Sequence, residues 1–413
     1  MRNEVTLSEL TAACKFVFEC GPAEQVLRDA LAHDVAKARL SLAFRAYYRF
    51  RSLVPLPVRQ LLQRYRPVEQ APEWYFDAKC ERALTAACTL AGARGVPAIH
   101  PWPDGARFAF VPTHDVETAD GMRRLECIAN LEEDLGFRSS WNIVPHKYPI
   151  DRGLLKDLQS RGFEIGVHGF NHDGKLFTSR AVFDHRVPAI NAALEEFGAV
   201  GFRAPMVHRN LEWLQSLKVE YDASCFDCDP YQAMPGGVGG VWPFIAGRFV
   251  ELPYTLPQDH TLFIALGEAS SRIWETKLDH VAKLGGMALF ITHPDYLDPG
   301  LRMDSYRGFL EKAREYDTMW HALPRQIAAW WRERDQSQLH CNAAGMWSIE
   351  GPAATRGRAA AFSIAVNSRI PSATYKNRST NSTANEEARP SFEWHDLPKT
   401  ASNPSPAVSA ALA

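Results

Sequence analysis

Between residues 105 and 335, short apolar runs alternate with longer segments whose apolar residues recur every three or four positions. The runs at 107–112, 139–144, 163–167, 199–203, 249–253 and 287–292 have strand length. The segments at 119–135, 151–161, 180–197, 209–218 and 268–284 carry the helical period. Gly136, Gly162, Gly198 and Gly285 follow four of these helical segments, where a chain commonly leaves a helix. Strand–helix alternation predicts an α/β fold with a mostly parallel sheet. Six or so repeats in this span fit a distorted (β/α) barrel of about seven units.

Four of the apolar runs end in polar clusters. Phe108-Ala109-Phe110-Val111 leads into Thr113-His114-Asp115-Val116-Glu117, and Glu164-Ile165-Gly166-Val167 leads into His168-Gly169-Phe170-Asn171-His172. Val200-Gly201-Phe202 leads into Arg203-Ala204-Pro205, and Ala288-Leu289-Phe290-Ile291 into Thr292-His293-Pro294. The C-terminal ends of parallel strands gather on one rim of such a barrel, where these folds keep their chemistry.

The flanks differ from the barrel. Residues 1–104 read as a helical N-terminal extension. Between Lys37 and Arg66 it has eight basic residues and no acidic one, interleaved with Phe44, Tyr47, Tyr48 and Phe50. Such a stretch can lie on an anionic membrane surface, or it can be a solvated face packing its aromatics on the barrel. The barrel is expected over 105–338. Residues 339–413 read as a low-complexity, disordered tail: 352–413 is rich in Ala, Ser, Thr, Asn and Pro, too poor in large aliphatics to offset its ordering entropy.

Composition narrows the class. A net charge of −2 gives no global pull toward nucleic acid, and no uncharged apolar stretch is long enough to span a bilayer. The eight cysteines are scattered, several in helical segments, as in a reduced intracellular protein. The expected compartment is the cytoplasm, with peripheral membrane contact through 37–66 left open. Cys225 and Cys228 form a CxxC without a second pair and read as ordinary thiols.

His168 and His172, four residues apart, can converge on a helix face or in a turn. An acidic residue from a neighbouring strand would complete a two-histidine, one-carboxylate metal set with a coordination position open to water. Asp115 and Glu117 would share one face of an extended strand, one as ligand and the other as general base. Alternatively, Glu117 is an acidic residue at the start of the next helix. Arg203, held extended by the Ala204-Pro205 that follows, could clamp the base carboxylate through a bidentate pair, or form a structural ion pair. His293 suits a general acid that protonates a leaving amine. Asp229, Tyr231 and Trp242 lie in a glycine- and aromatic-rich stretch suited to stacking on sugars and bonding their hydroxyls.

Taken in order, these clusters resemble the motifs of the polysaccharide deacetylase family, the nodulation-type chitooligosaccharide deacetylase homology domain of carbohydrate esterases. The likeness spans about 105–300 and rests on Asp115/Glu117, His168/His172, Arg203-Ala204-Pro205, Asp229 to Trp242, and Thr292-His293-Pro294. It implies a divalent metal, zinc first and cobalt or nickel as alternatives, held by Glu117, His168 and His172. It further implies Asp115 as base steadied by Arg203, His293 as acid, and an N-acetylated hexosamine in a polysaccharide or lipid-linked glycan as substrate. Two departures stand out. The family's usual Thr-Phe-Asp-Asp-Gly has its second aspartate where this chain has Val116, so the roles of Asp115 and Glu117 could be exchanged. Gly169 stands where Ser or Thr is common, which is expected to loosen the packing around the two histidines. An allantoinase-like amide hydrolase on the same barrel and a metal-free glycan-binding module are the rival readings.

Overall fold

The computed structural model describes residues 78–92, 95–229, 232, 237–365 and 391–399, with isolated positions between 42 and 58. The basic stretch 37–66 and Tyr231 therefore lie wholly or almost wholly outside the described residues. In chain order the elements begin with α1 (Ala78–Ala91), β1 (Val96–Ile99), β2 (Phe108–Val116), α2 (Ala119–Asp134), β3 (Ser140–Ile143), α3 (Arg152–Ser160) and β4 (Glu164–His168). Then follow α4 (Arg180–Phe197), β5 (Gly201–Arg203), α5 (Leu211–Leu214), β6 (Tyr221–Asp222), β7 (Phe244–Ala246), β8 (Phe249–Glu251) and α6 (Arg272–Leu284). The chain continues through β9 (Met287–Thr292), α7 (Leu301–Ala313), β10 (Met319–His321), α8 (Pro324–Asp335), β11 (Gln338–Cys341), β12 (Trp347–Glu350), β13 (Ala359–Ile364) and β14 (Phe392–Asp396).

The main sheet is mixed α/β in its connections and curled. β2, β3, β4, β5, β6 and β8 lie side by side and parallel, and β7 closes that edge antiparallel. β9 runs along the other edge of β2, while β10 flanks the first three residues of β2. Thr255 and Leu256, just past β8, both donate backbone N–H groups to the Leu289 carbonyl, so the sheet turns back on itself. Covered on both faces, the central strands are buried along their whole length rather than on alternate residues. All nine residues of β2 are buried. Phe110, Phe290, Phe309 and Trp274 pack between β2, β9 and the helices with ring centroids 5.2–6.0 Å apart. Each contributes roughly 1.5–3 kcal/mol by removal from water.

Local chemistry sets the helix ends. Thr118 caps α2 by accepting the Gly121 amide, Ser179 caps α4 through Val182, and Gly198 and Gly285 end α4 and α6 in the left-handed conformation. Thr118 is thus the cap, and Glu117 is free for other work. No described helix is long and apolar enough to cross a membrane.

The flanks depart from expectation. Within 1–104 the helix α1 is present, but Val96–Ile99 is a strand, paired antiparallel with β13, which in turn pairs with β14. The segment expected as an unstructured tail therefore supplies a hairpin (β11–β12) and two strands of a second sheet. Averaged composition hid the reason. Ala359, Ala360 and Ala361 let β13 lie between its neighbours, while Phe362, Phe392 and Trp394 stack at 4.9–5.3 Å and supply the apolar surface. This small sheet packs where β9 begins. Trp102 and Trp242 both donate indole N–H groups to the Gly285 carbonyl (2.7 and 2.8 Å), and Trp394 donates to Leu284 (3.0 Å).

Candidate active site

The functional side chains converge at the opposite end, past the C-termini of β2, β4, β5 and β9. β2 carries Asp115, with Glu117 one residue beyond its end; alternation points both to the same side and leaves Val116 wholly buried on the other. Val116 therefore does not occupy a site position. Its carbonyl instead accepts the Tyr148 hydroxyl.

His168 ends β4. Its Nδ1 lies 3.1 Å from the Arg203 carbonyl, which can only accept, so Nδ1 donates and Nε2 is the nitrogen left to ligate. His172 is reached by a turn rather than a helix, and its own backbone is left-handed (φ 59°). Gly169 begins that turn at φ +68°, and a Cβ there would sit 2.4 Å from the Pro205 ring. Glycine at this position is thus imposed by the close packing of Pro205, and it tightens the site rather than loosening it. Gly166 plays a related part: a Cβ would fall 2.2 Å from the Asn142 amide oxygen, whose side chain crosses above it to Asp115.

Glu117 Oε1 lies 2.7 Å from His172 Nε2, 3.8 Å from His168 Nε2 and 3.5 Å from His293 Nε2. Both His168 Nε2 and His172 Nε2 are sealed from solvent, yet neither has an aligned hydrogen-bond partner. Buried polar atoms are rarely left so. Among the described residues this is the one trio of side chains whose donor atoms lie close enough to share an ion. Two imidazole nitrogens and a carboxylate oxygen are the donors a catalytic divalent site uses, with room for a fourth ligand. Burial lowers the pKa of His172, favouring its neutral, ligating form. Burial opposes charge on Glu117, but His172, His168 and His293 outweigh it and hold the carboxyl well below its usual range.

Asp115 has different company. Its Oδ1 accepts from Arg203 (2.9 Å) and from the Asn142 amide (2.9 Å), while Oδ2 faces His168 Nε2 at 3.8 Å. Burial raises its pKa, but Arg203, His168, His293 and Asn142 more than offset that, leaving it at about 2. The expected bidentate clamp is not formed. Arg203 reaches Asp115 through one nitrogen and divides its remaining bonds between Thr113 Oγ1 and the Ala223 carbonyl, each at 2.9 Å.

His293 presents Nε2 toward Glu117 while its Nδ1 and backbone N–H are both held by Asp259, at 2.7 and 2.6 Å. Burial works against a charged ring, but the Asp259 carboxylate prevails and raises its pKa well above 6.5. Neither Asp259 nor Asn142 was expected from the sequence: each stands in an unremarkable local pattern, and only the fold brings it to its partner.

The sugar-contact residues fare differently. Trp242 is a correction: it is buried at the other end of the barrel, bonded to Gly285 and edge-on to Phe362. It lies in a bend two residues before β7, where the Val241 carbonyl accepts the Met287 amide and sets it beside the start of β9 rather than the end. Asp229 is buried and its Oδ2 accepts from Tyr254 and Gln232. Tyr231 falls outside the described residues.

No family model matches the sequence, and no curated protein matches it either. Among solved structures, a Mycobacterium smegmatis protein described as a polysaccharide deacetylase is 20% identical, over 57% of this chain and 93% of that one, with a TM-score of 0.46. The Puue allantoinase is 16% identical over 56% and 93%, at 0.45. A Pseudomonas aeruginosa PAO1 protein, also described as a polysaccharide deacetylase, is 17% identical over 57% and 94%, at 0.45. Scores of this size assign no activity to this chain.

Proposed function

We propose that the chain is a metal-dependent amide hydrolase that removes N-acetyl groups from hexosamine units of a polysaccharide or lipid-linked glycan. The observation that carries the reading is the pair of buried, unpartnered imidazole nitrogens facing Glu117, with Asp115 and His293 beside them. Glu117, His168 and His172 would hold the ion; zinc suits this donor set, as do cobalt and nickel. Once bound, such an ion supplies Lewis acidity, acidifying water and polarising a carbonyl.

The chain's own groups divide the proton work. Arg203 and Asn142 occupy Asp115 Oδ1, so the free Oδ2 takes the proton of the attacking water. Its low pKa keeps it ionised at neutral pH. Asp259 fixes the ring of His293 and keeps it protonated, and Nε2 gives its proton to the amine nitrogen as the carbon–nitrogen bond breaks. The products are acetate and the free amine.

The scattered cysteines, several of them in helical segments, support a reducing, cytoplasmic setting. The test is acetate release from N-acetylhexosamine oligomers by the zinc-loaded chain, run beside ammonia release from ureides. Acetate release that is lost in Asp115→Asn and His293→Ala supports the proposal; ammonia release without acetate would replace it with the allantoinase-like reading.

A further inference from the structure

Where the small sheet meets the barrel, at the N-terminal end of β2 and β9, the packing leaves a recess of about 250 Å³. Its walls include His100, Arg107, Lys283, Arg358, Trp394 and Asp396. Arg107 immediately precedes β2, which runs about 26 Å from it to Asp115 and about 33 Å to Glu117 at the usual strand rise. The recess is thus independent of the metal site and of the activity proposed for it.

The charges in it are unbalanced. Neither Arg107 nor Lys283 has a carboxylate partner among the described residues. Arg358 donates NH1 to Asp396 Oδ1 at 2.5 Å, but its Nε, sealed from solvent, has no partner. Three cations against one carboxylate leave a net charge of +2 around a cavity bounded by the Trp394 indole. His100, almost fully buried at its edge, registers the same field. Burial first, then Arg358, with Arg334 and Arg107 adding to it, keeps its pKa well below 6.5.

We propose that this recess binds the phosphate group of a phosphomonoester, whose charge of about −1.5 to −2 near pH 7 matches the excess. Arg107, Lys283 and Arg358 line it and supply charge-assisted donors. The volume is below the roughly 300–1,000 Å³ of ordinary small-molecule pockets, so the phosphate and a few attached atoms fill it. Because the walls come from both the barrel and the small sheet, the ligand ties the two together.

Inorganic phosphate, titrated into the full chain by calorimetry at constant ionic strength, tests this. Saturable binding is expected, with a matching rise in Tm by mass action. Arg107→Ala/Lys283→Ala should weaken it about a hundredfold, roughly tenfold per lost charged contact, without changing Tm in phosphate-free buffer. His172→Ala should leave it intact. The proposal fails if wild type shows no saturable binding, if the double variant binds as wild type does, or if His172→Ala abolishes it, which would put the anion at the metal site. Co-sedimentation with phosphatidic-acid vesicles, against phosphatidylcholine vesicles, separates the sources. Retention that needs Arg107 and Lys283 assigns a lipid headgroup; phosphate binding without retention assigns a soluble phosphomonoester.

Discussion

Arg203→Met exposes how the base is held. Arg203 is fully buried, and it gives one N–H to Asp115 and others to Thr113 and Ala223. Methionine fills much of the same volume but leaves the Asp115 carboxylate buried with only Asn142 donating to it among the described residues. Stripping one partner from a buried ion pair costs about 3–5 kcal/mol, a large part of the 5–15 kcal/mol that holds a typical domain together. Asp115→Asn is milder, about 1.5–3 kcal/mol, because the amide oxygen can still accept from the guanidinium. In the double variant no charge is stranded, so the two losses should fall short of their sum by about 2–3 kcal/mol. Urea unfolding of the four proteins in the presence of a chelator, at one pH, measures each midpoint and slope. Losses that add to within about 0.5 kcal/mol would mean that Arg203 and Asp115 do not depend on each other, and the orientation of Oδ2 argued from that pair would fall with it.

Other expectations follow from the same geometry. His168→Ala, His172→Ala and Glu117→Gln should each weaken zinc affinity in competitive chelator titrations by more than the roughly 10–100-fold typical of outer residues, while Asp115→Asn stays within that range; the reverse pattern would exchange the two carboxylates. Asp259→Asn, by releasing His293 Nδ1, should lower kcat for acetate release by about two to four orders of magnitude with KM little changed, and an unaltered kcat would remove His293 as the acid. Burial pushes Glu164 up to about 7 despite donors at Tyr221 and the Arg325 amide. A raised folded pKa gives stability that is complete below about 4.5 and lost as pH rises through 7, up to about 3 kcal/mol, so Glu164→Gln should flatten unfolding free energies between pH 5 and 8; parallel pH slopes would contradict this. Trp242→Ala should cost about 3–5 kcal/mol in urea with kcat/KM of the folded enzyme unchanged, and a fall in kcat/KM at constant stability would return Trp242 to the substrate site.

How far the sequence could be read depended on the range of the interaction. Strand-length runs at 163–167 and 287–292 became β4 and β9, because an apolar run between helical periods has few other ways to be buried. The inward pairing of Asp115 with Glu117 followed from strand alternation alone. Interactions across the fold were not legible. Asp259 meets His293 34 residues away with no repeating pattern to link them. β1 meets β13 across more than 250 residues, and the alanines that permit the pairing read as tail composition. Trp242 lies elsewhere than its stretch suggests, because glycine- and aromatic-rich composition says what a tryptophan could touch but not which end of a barrel it will reach. The spacing of His168 and His172 suits a helix and a loop alike; it is the left-handed backbone at Gly169 and His172, fixed against Pro205, that turns the second imidazole toward the first.

The two acidic residues of the site can be told apart by their neighbours rather than by their distance from the histidines. Asp115 lies against a guanidinium and an amide, and its charge is already answered by the protein. A second cation there would meet a carboxylate that has little left to offer on Oδ1, though Oδ2 stays open to a proton. Glu117 is surrounded by three imidazoles, with no guanidinium or lysine ion pair to it among the described residues; the charged ring of His293 answers it in part at 3.5 Å, and an ion among the donors would answer the rest. The other two nitrogens, His168 Nε2 and His172 Nε2, are sealed from solvent without an aligned partner, and burial holds the pKa of His172 down. The extra methylene of Glu117 matters here: it starts beyond the end of β2 yet brings Oε1 to 2.7 Å from His172, a reach about 1.5 Å longer than an aspartate would have. Asp-Val-Glu thus does what two adjacent aspartates could not do in an unbroken strand, setting both acids on the inner face and leaving a valine to the hydrophobic layer behind them.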